Sequence, residues 1–68
     1  MWRVLEQRRA NCIAVKDSDY DKVTEFKNKD KSFHYYISVR DNNYKTVSQE
    51  LRNGKWESIM SSCYSKHI

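Results

Sequence analysis

The dipeptide Asn53-Gly54 constrains the fold of this chain more than any other feature. A type I′ turn between two strands needs positive φ at both central positions, and Asn followed by Gly meets that need at low cost. Apolar and polar residues alternate on both sides of the dipeptide, which predicts strands over Tyr44–Leu51 and Trp56–Cys63. We therefore predict a β-hairpin in this part of the chain.

The segment Phe33–Arg40 alternates in the same way and predicts one more strand, joined to the hairpin by the loop at residues 41–43. The two loop lengths pair Phe33 with Leu51, Ile37 with Val47, Leu51 with Trp56, and Val47 with Met60. One face of this three-stranded meander, residues 33–63, then carries six apolar residues: Phe33, Ile37, Val47, Leu51, Trp56 and Met60. We expect this face to form the core, with Trp56 near its centre.

The N-terminal residues 2–10 are predicted to form a short helix, because Trp2 and Leu5 lie on one face of it. Residues 11–16 contain a run of apolar residues that fits either a fourth strand or a continuation of the helix. The β-branched side chains in this run favour the strand.

A second helix is predicted from Ser18, which can cap it, to Asn28. The alternative is a strand over Val23–Lys27, which would give a small five-stranded all-β barrel. The sequence thus predicts an α+β fold, with short N-terminal helical elements packed on a three-stranded antiparallel meander. Residues 64–68 are expected to be a frayed tail.

The 68 residues are enough for a single small domain, 1–68. Thirteen Lys and Arg against nine Asp and Glu give a net charge of +4, which favours acidic protein surfaces or nucleic acid as partners. The two signs of charge are interspersed, however, and this is also typical of an ordinary solvated surface. Pro is absent and Gly occurs once, a bias that suits an AT-rich genome such as that of a phage or mobile element.

No apolar run approaches the ~18 residues of a membrane span, and no signal peptide is visible. We therefore expect a cytoplasmic protein (the host cytoplasm, if it is viral) that does not contact membranes. In that compartment Cys12 and Cys63 would be free thiols, and a bridge between them would form only under oxidising conditions.

The second face of the predicted meander carries His34, Glu50 and Glu57 on one rung. An imidazole beside carboxylates suits general acid–base cleavage of RNA, so a small ribonuclease or ribonuclease-type toxin is one hypothesis. The plainer interpretation is a polar, solvent-facing pair across two strands. We expect no enzymatic activity, and the spacing of acidic and cysteine residues predicts neither a metal nor another cofactor.

The same face is predicted to be a binding surface, because aromatic and charged side chains are interleaved on it. Its residues are His34, Tyr36, Arg40, Tyr44, Glu50, Arg52, Lys55 and Glu57. We expect a non-enzymatic protein-binding protein, an accessory or inhibitor protein of a phage or mobile element. The alternative is a nucleic-acid-binding module that uses this basic and aromatic face. A second copy of the chain is a further candidate partner, through pairing of edge strands.

Overall fold

A computed structural model of the chain describes residues 1–8 and 20–63. Its elements are β1 (Trp2–Gln7), β2 (Lys22–Phe26), α1 (Lys29–Val39), a 3₁₀ turn (Arg40–Asn42), β3 (Lys45–Arg52) and β4 (Lys55–Cys63). The strands form one antiparallel sheet in the order β2-β1-β3-β4, and α1 packs against β1, β2 and β3. The predicted α+β class is confirmed, and the sheet is open rather than closed into the alternative barrel.

The N-terminal segment is the central strand β1, so the predicted helix over residues 2–10 is wrong. Val4 and Leu5 point to opposite faces of the sheet, as neighbours in a strand do, and both are fully buried. A strand buried on both faces shows no clean alternation of apolar and polar residues. Without that alternation, the three-residue spacing of Trp2 and Leu5 was interpreted as the periodicity of a helix.

The predicted helix from Ser18 to Asn28 is also wrong, and the alternative strand at Val23–Lys27 is correct to within one residue. Asp21, within the range of that predicted helix, lies beside β1. Its backbone N–H donates to the Glu6 carbonyl (2.8 Å), and its carboxylate accepts from the backbone N–H of Arg8 (2.7 Å). The predicted strand at 11–16, the cap at Ser18 and the tail at 64–68 lie outside the described residues.

The segment predicted as the first strand of the meander, Phe33–Arg40, is helical and belongs to α1. Asn28 caps the helix, because its side-chain oxygen accepts from the backbone N–H of Lys31 (3.1 Å). Ser32 and Tyr36, one turn apart, are the helix residues buried against the sheet. Aromatic and β-branched residues favour strands only weakly, and here capping and tertiary packing override that preference.

The hairpin β3–β4 is confirmed, including its turn: φ is 51° at Asn53 and 76° at Gly54. Leu51 lies opposite Trp56, as predicted. The register then shifts at an irregularity between Ser48 and Gln49, so Val47 lies opposite Ser61 and not opposite Met60. A β-bulge adds one residue to one strand and moves every later pair, which turn length cannot predict.

The predicted pairs of Phe33 with Leu51 and of Ile37 with Val47 are absent, because residues 33 and 37 lie on α1. The buried apolar side chains among the described residues are Val4, Leu5, Tyr36 and Val47. Trp56 is half-buried on the edge strand, so its predicted place at the core centre is wrong. The guanidinium of Arg3 lies over its ring, 4.2 Å from the centroid.

A buried carboxylate, that of Glu6, links α1 and the following turn to the sheet. Its two oxygens accept from the Tyr35 hydroxyl (2.5 Å) and from the Asn43 side-chain amide (3.1 Å). The ring of Tyr35 also packs on Phe26 of β2, with ring centroids 5.3 Å apart. These contacts set the position of the helix over β1 and β2.

Cys63, the last residue of β4, is in a disulfide bond, so the predicted free thiol at this position is wrong. Sequence separation alone does not show whether a fold brings a cysteine within bonding distance of another. The second cysteine of the chain, Cys12, lies outside the described residues.

No helix in residues 1–8 and 20–63 is long and apolar enough to cross a membrane.

Candidate protein-binding edge

Strand β4 forms one edge of the sheet and is the longest of the described strands, with nine residues. Within the described part of the chain it pairs only with β3. Between Trp56 and Cys63 it carries one charged residue, Glu57, and no Pro. Natural edge strands usually carry charges or Pro that hinder pairing with a further strand. Most of β4 lacks that protection.

The irregularity in the β3–β4 pairing falls on the middle of β4. Gln49 lies opposite Ser58 and Ser48 opposite Met60, so Ile59 has no directly opposite residue. A bulge turns the strand locally and re-aims a side chain, and such bulges are common at sheet edges and beside functional sites. The Ile59 side chain is 40% exposed here.

An apolar groove runs between α1 and β4, and Phe33, Ile59 and Met60 line it together. Ile37 lies one helical turn further along α1 than Phe33. Phe33 is 42% exposed and Ile37 40% exposed. The helix packs mainly against β1, β2 and β3 and reaches β4 through the Tyr36–Ser62 hydrogen bond, while Phe33 and Ile59 beside it stay exposed.

The structure does not bring the eight predicted site residues onto one sheet face. His34 and Tyr36 lie in α1, Arg40 in the 3₁₀ turn, Tyr44 just before β3, Glu50 and Arg52 in β3, and Lys55 and Glu57 in β4. Tyr36 is buried and its hydroxyl shares a hydrogen bond with Ser62 Oγ (2.5 Å), so its ring offers no stacking surface. The prediction of a shared face is wrong because α1 replaced the first predicted strand.

Glu50 and Glu57 do lie opposite each other, as predicted, and a cation lies beside both. Arg52 Nε is 2.8 Å from a Glu50 oxygen, and Arg52 Nη1 is 3.6 Å from a Glu57 oxygen. The Arg52 and Glu57 side chains are more than half exposed and Glu50 is partly exposed, and ion pairs at the surface contribute at most about 1 kcal/mol. His34 lies on α1 rather than on their rung, so the predicted acid–base set is not assembled there.

Sequence reasoning missed the groove because it assigned Phe33, Ile37 and Met60 to the core of a meander. The sequence carried no local signal for it. Ile59 was an isolated apolar residue on a strand face that was otherwise polar, and single exposed apolar residues are normal on protein surfaces.

Comparison of the chain with protein-family models, with curated proteins and with solved structures finds no match. In the ranges 1–8 and 20–63, no cluster of His, Cys, Asp or Glu side chains is suited to holding a metal ion. Function is therefore inferred from the edge strand and the groove beside it.

Proposed function

We propose that this chain is a non-enzymatic protein-binding module, which pairs with an extended segment of another protein along β4. The observation that carries the proposal is an open apolar groove next to a long edge strand with little charge. In strand addition, backbone hydrogen bonds supply affinity, and pockets for alternate side chains supply specificity. Strand β4 offers the backbone groups, and the groove takes the apolar side chains.

The two edges of the sheet support the choice of β4. Edge strand β2 has five residues, of which Lys22 and Glu25 are charged, and Asp21 and Lys27 flank it. Strand β4 is nearly twice as long, and its two charged residues, Lys55 and Glu57, lie next to the turn, which leaves Ser58–Cys63 without charge. Charge on a short edge hinders pairing with another chain, so β2 is the protected edge and β4 the receptive one.

A nucleic-acid partner is the weaker candidate. Recognition of single strands uses exposed aromatic rings along a positive track. Tyr36, one of the expected stacking residues, is buried, and Glu50 and Glu57 place negative charge on the hairpin. The net charge of +4 alone supports nucleic-acid binding, and the test below includes it.

The biological setting belongs to the same proposal. Small size, no Pro and a single Gly support an accessory or inhibitor protein of a phage or mobile element. A cytoplasmic location was expected from the sequence. The disulfide bond at Cys63 weighs against a reducing cytoplasm, since disulfides persist mainly in oxidising compartments.

The test compares two variants that place the same charge on the two edges. Ile59→Lys alters β4, and Val23→Lys alters β2, where Val23 is as exposed as Ile59 (41% against 40%). Each protein is immobilised and used to capture proteins from cells of the source organism. We expect the wild type and Val23→Lys to retain the same proteins and Ile59→Lys to lose them, because a charge on an edge strand hinders pairing.

Two further measurements decide between the alternatives. A titration with RNA and DNA at two salt concentrations tests nucleic-acid binding, which weakens steeply as salt rises. Tight, salt-sensitive binding that both Lys variants retain would contradict the proposal. Sedimentation of the purified protein tests self-association. A dimer that Ile59→Lys dissociates and Val23→Lys does not would identify a second copy as the partner along β4.

A further inference from the structure

The groove deepens into a cavity of about 200 Å³ between the first half of α1 and the sheet, which reaches as far as Trp2 of β1 and Ser48 of β3. An apolar cavity of about 150 Å³ in a protein stays free of water and admits a benzene ring. The cavity beside α1 therefore has room for one aromatic side chain. It meets the solvent at Phe33 and Ile59, which line it and are 42% and 40% exposed.

The inner surface of the cavity is apolar. Lys29, Ser32 and Ser48 are among its lining residues, but no polar surface of the described residues faces the cavity. These three residues contribute carbon atoms to it, as the stem of a lysine commonly does. A polar group placed inside would lose its hydrogen bonds to water and find no others in return. The cavity therefore suits an apolar group.

The walls of the cavity favour an aromatic ring over an aliphatic chain. Two of the lining side chains, those of Trp2 and Phe33, are aromatic, and Met60 brings a polarizable sulfur. Aromatic rings attract one another beyond the contribution of buried area, and a methionine sulfur packs favourably against a ring. A ring thus gains contacts here that an aliphatic side chain of similar size does not.

The irregularity in β4 joins the cavity to the free edge of the sheet. Successive side chains of a regular strand point to opposite faces, yet the neighbours Ile59 and Met60 both line the cavity. The β3–β4 pairing is irregular at this point, since Ser58 and Met60 lie opposite residues of β3 and Ile59 does not. A segment added to β4 would lie about 5 Å from it. A side chain of that segment opposite Ile59 therefore reaches the mouth of the cavity.

We propose that the cavity is an anchor pocket for one phenylalanine side chain of the segment that pairs with β4. The ring lies against Trp2, Phe33 and Met60, and the backbone of the same residue pairs with β4 near Ile59. The inference rests on the proposed function and adds the residue that the partner carries. It sets an order of preference at this position, with Phe first, Leu next and Tyr last. Tyrosine is last because its hydroxyl would be buried without a hydrogen-bond partner.

The first experiment measures this order with pools of nine-residue peptides. The central residue is Phe, Leu, Tyr or Ala, and the flanking residues are the same random mixture of Thr, Ser, Val and Lys in every pool. We expect immobilised wild-type protein to retain the Phe pool about threefold better than the Leu pool, because of the ring contacts. The Tyr pool should bind at least about tenfold more weakly than the Phe pool, because of its unpaired hydroxyl.

Two variants of α1 form a matched pair. Phe33→Ala removes a wall of the pocket, and Ile37→Ala removes a side chain of similar exposure (40% against 42%) one helical turn away, outside the lining. Both positions are well exposed, so both variants are expected to fold, which a thermal melt checks. Phe33→Ala should abolish the preference for Phe over Tyr, because an opened pocket lets the hydroxyl reach water. Ile37→Ala should keep that preference.

The second experiment tests the cavity without a partner, using toluene and p-cresol, which are the free side chains of Phe and Tyr. A ligand that binds only the folded protein raises its melting temperature. We expect toluene to raise the melting temperature of the wild type and of Ile37→Ala. At the same concentration p-cresol should raise it less than half as much. Equal shifts with the two compounds would show that the cavity admits a hydroxyl and would contradict the inference.

Three further results would overturn the inference. Equal retention of all four pools, lost in Ile59→Lys, would leave edge pairing intact and remove the pocket from it. A toluene shift without any preference for the Phe pool would make the ligand a small aromatic molecule rather than a side chain. Retention of no pool would also refute the anchor residue, and the captures with Ile59→Lys would then judge edge pairing by themselves.

Discussion

Strands β1 and β4 belong to the same sheet but differ in almost every physical respect. β1 lies between β2 and β3, and five of its six residues are buried. β4 lies at the edge, and none of its nine residues is buried. The shorter strand contributes most to the core, whereas the longer one contributes mainly surface.

The difference shows where stability and binding are separated in this molecule. The buried carboxylate of Glu6 in β1 has its partners within the fold, Tyr35 and Asn43. The apolar residue Ile59 of β4 is exposed, and a partner would cover it. Burial of apolar surface stabilises by roughly 25 cal/mol per Å² wherever it takes place. In β1 that free energy stabilises the fold, and along β4 it is available for binding.

The largest expected effect comes from shortening Leu5 in β1. Leu5→Ala leaves a cavity at a fully buried position and is expected to lower the free energy of unfolding by about 3–4 kcal/mol. A domain of this size has a total stability of roughly 5 kcal/mol, so the variant should be close to unfolding at room temperature. Urea denaturation followed by tryptophan fluorescence measures the change.

The control on β4 is Ile59→Ala, which removes a similar volume from an exposed position. Its expected cost is about 1 kcal/mol or less. A loss at Ile59 that equals the loss at Leu5 would show that β4 belongs to the core. The division between a stabilising strand and a binding strand would then be wrong.

The contrast also explains what the sequence could reveal. The β3–β4 hairpin depends on a local signal, the Asn53-Gly54 turn, and the alternating pattern beside it, so it was predictable. The place of β1 depends on strands far along the chain, which pair with both of its edges. Six residues of which three are polar or charged carry no local mark of a central strand.

The second prediction compares two glutamates. Glu6→Ala in β1 removes the acceptor of the Tyr35 hydroxyl and one of three acceptors of the Asn43 amide, which keeps the Val39 carbonyl and Thr46 Oγ1. We expect a loss of about 2 kcal/mol, since the Tyr35 hydroxyl loses its hydrogen-bond acceptor. Glu57→Ala in β4 removes an exposed carboxylate, 3.6 Å from Arg52, and is expected to change stability by no more than about 0.5 kcal/mol. Thermal melts monitored by circular dichroism compare the two.

A third variant separates charge from hydrogen bonding. Glu6→Gln keeps one acceptor oxygen and should recover part of the loss. A melting temperature for Glu6→Ala within a degree of the wild type would show that the Glu6 contacts do not hold α1 on the sheet.

The candidate site was less predictable than the hairpin, and α1 is the reason. Its segment contains Phe33, Tyr35 and Ile37 at strand-like spacing, and only the cap at Asn28 marks the start of a helix. Once the segment is helical, Phe33 lies beside Ile59 and Met60 of β4 instead of within a meander. The groove is formed by two elements that are distant in sequence, and no local pattern records that proximity.

The smallest expected effect concerns the turn that attaches β4 to the rest of the sheet. Gly54 has φ of 76°, and a Cβ added there would meet no atom within 4 Å. The cost of Gly54→Ala is therefore backbone strain alone, about 1–2 kcal/mol. Because β4 pairs with β3 only, in the described part of the chain, this strain should loosen the end of β4 next to the turn and leave β1 intact. Hydrogen exchange should then quicken at Lys55–Glu57 and stay unchanged at Val4 and Leu5.

The control Asn53→Gly keeps a residue that tolerates positive φ and should stay within about 0.5 kcal/mol of the wild type. Equal acceleration in both strands would show that β1 and β4 open as one unit, and β4 could then not adjust to a partner independently of the core.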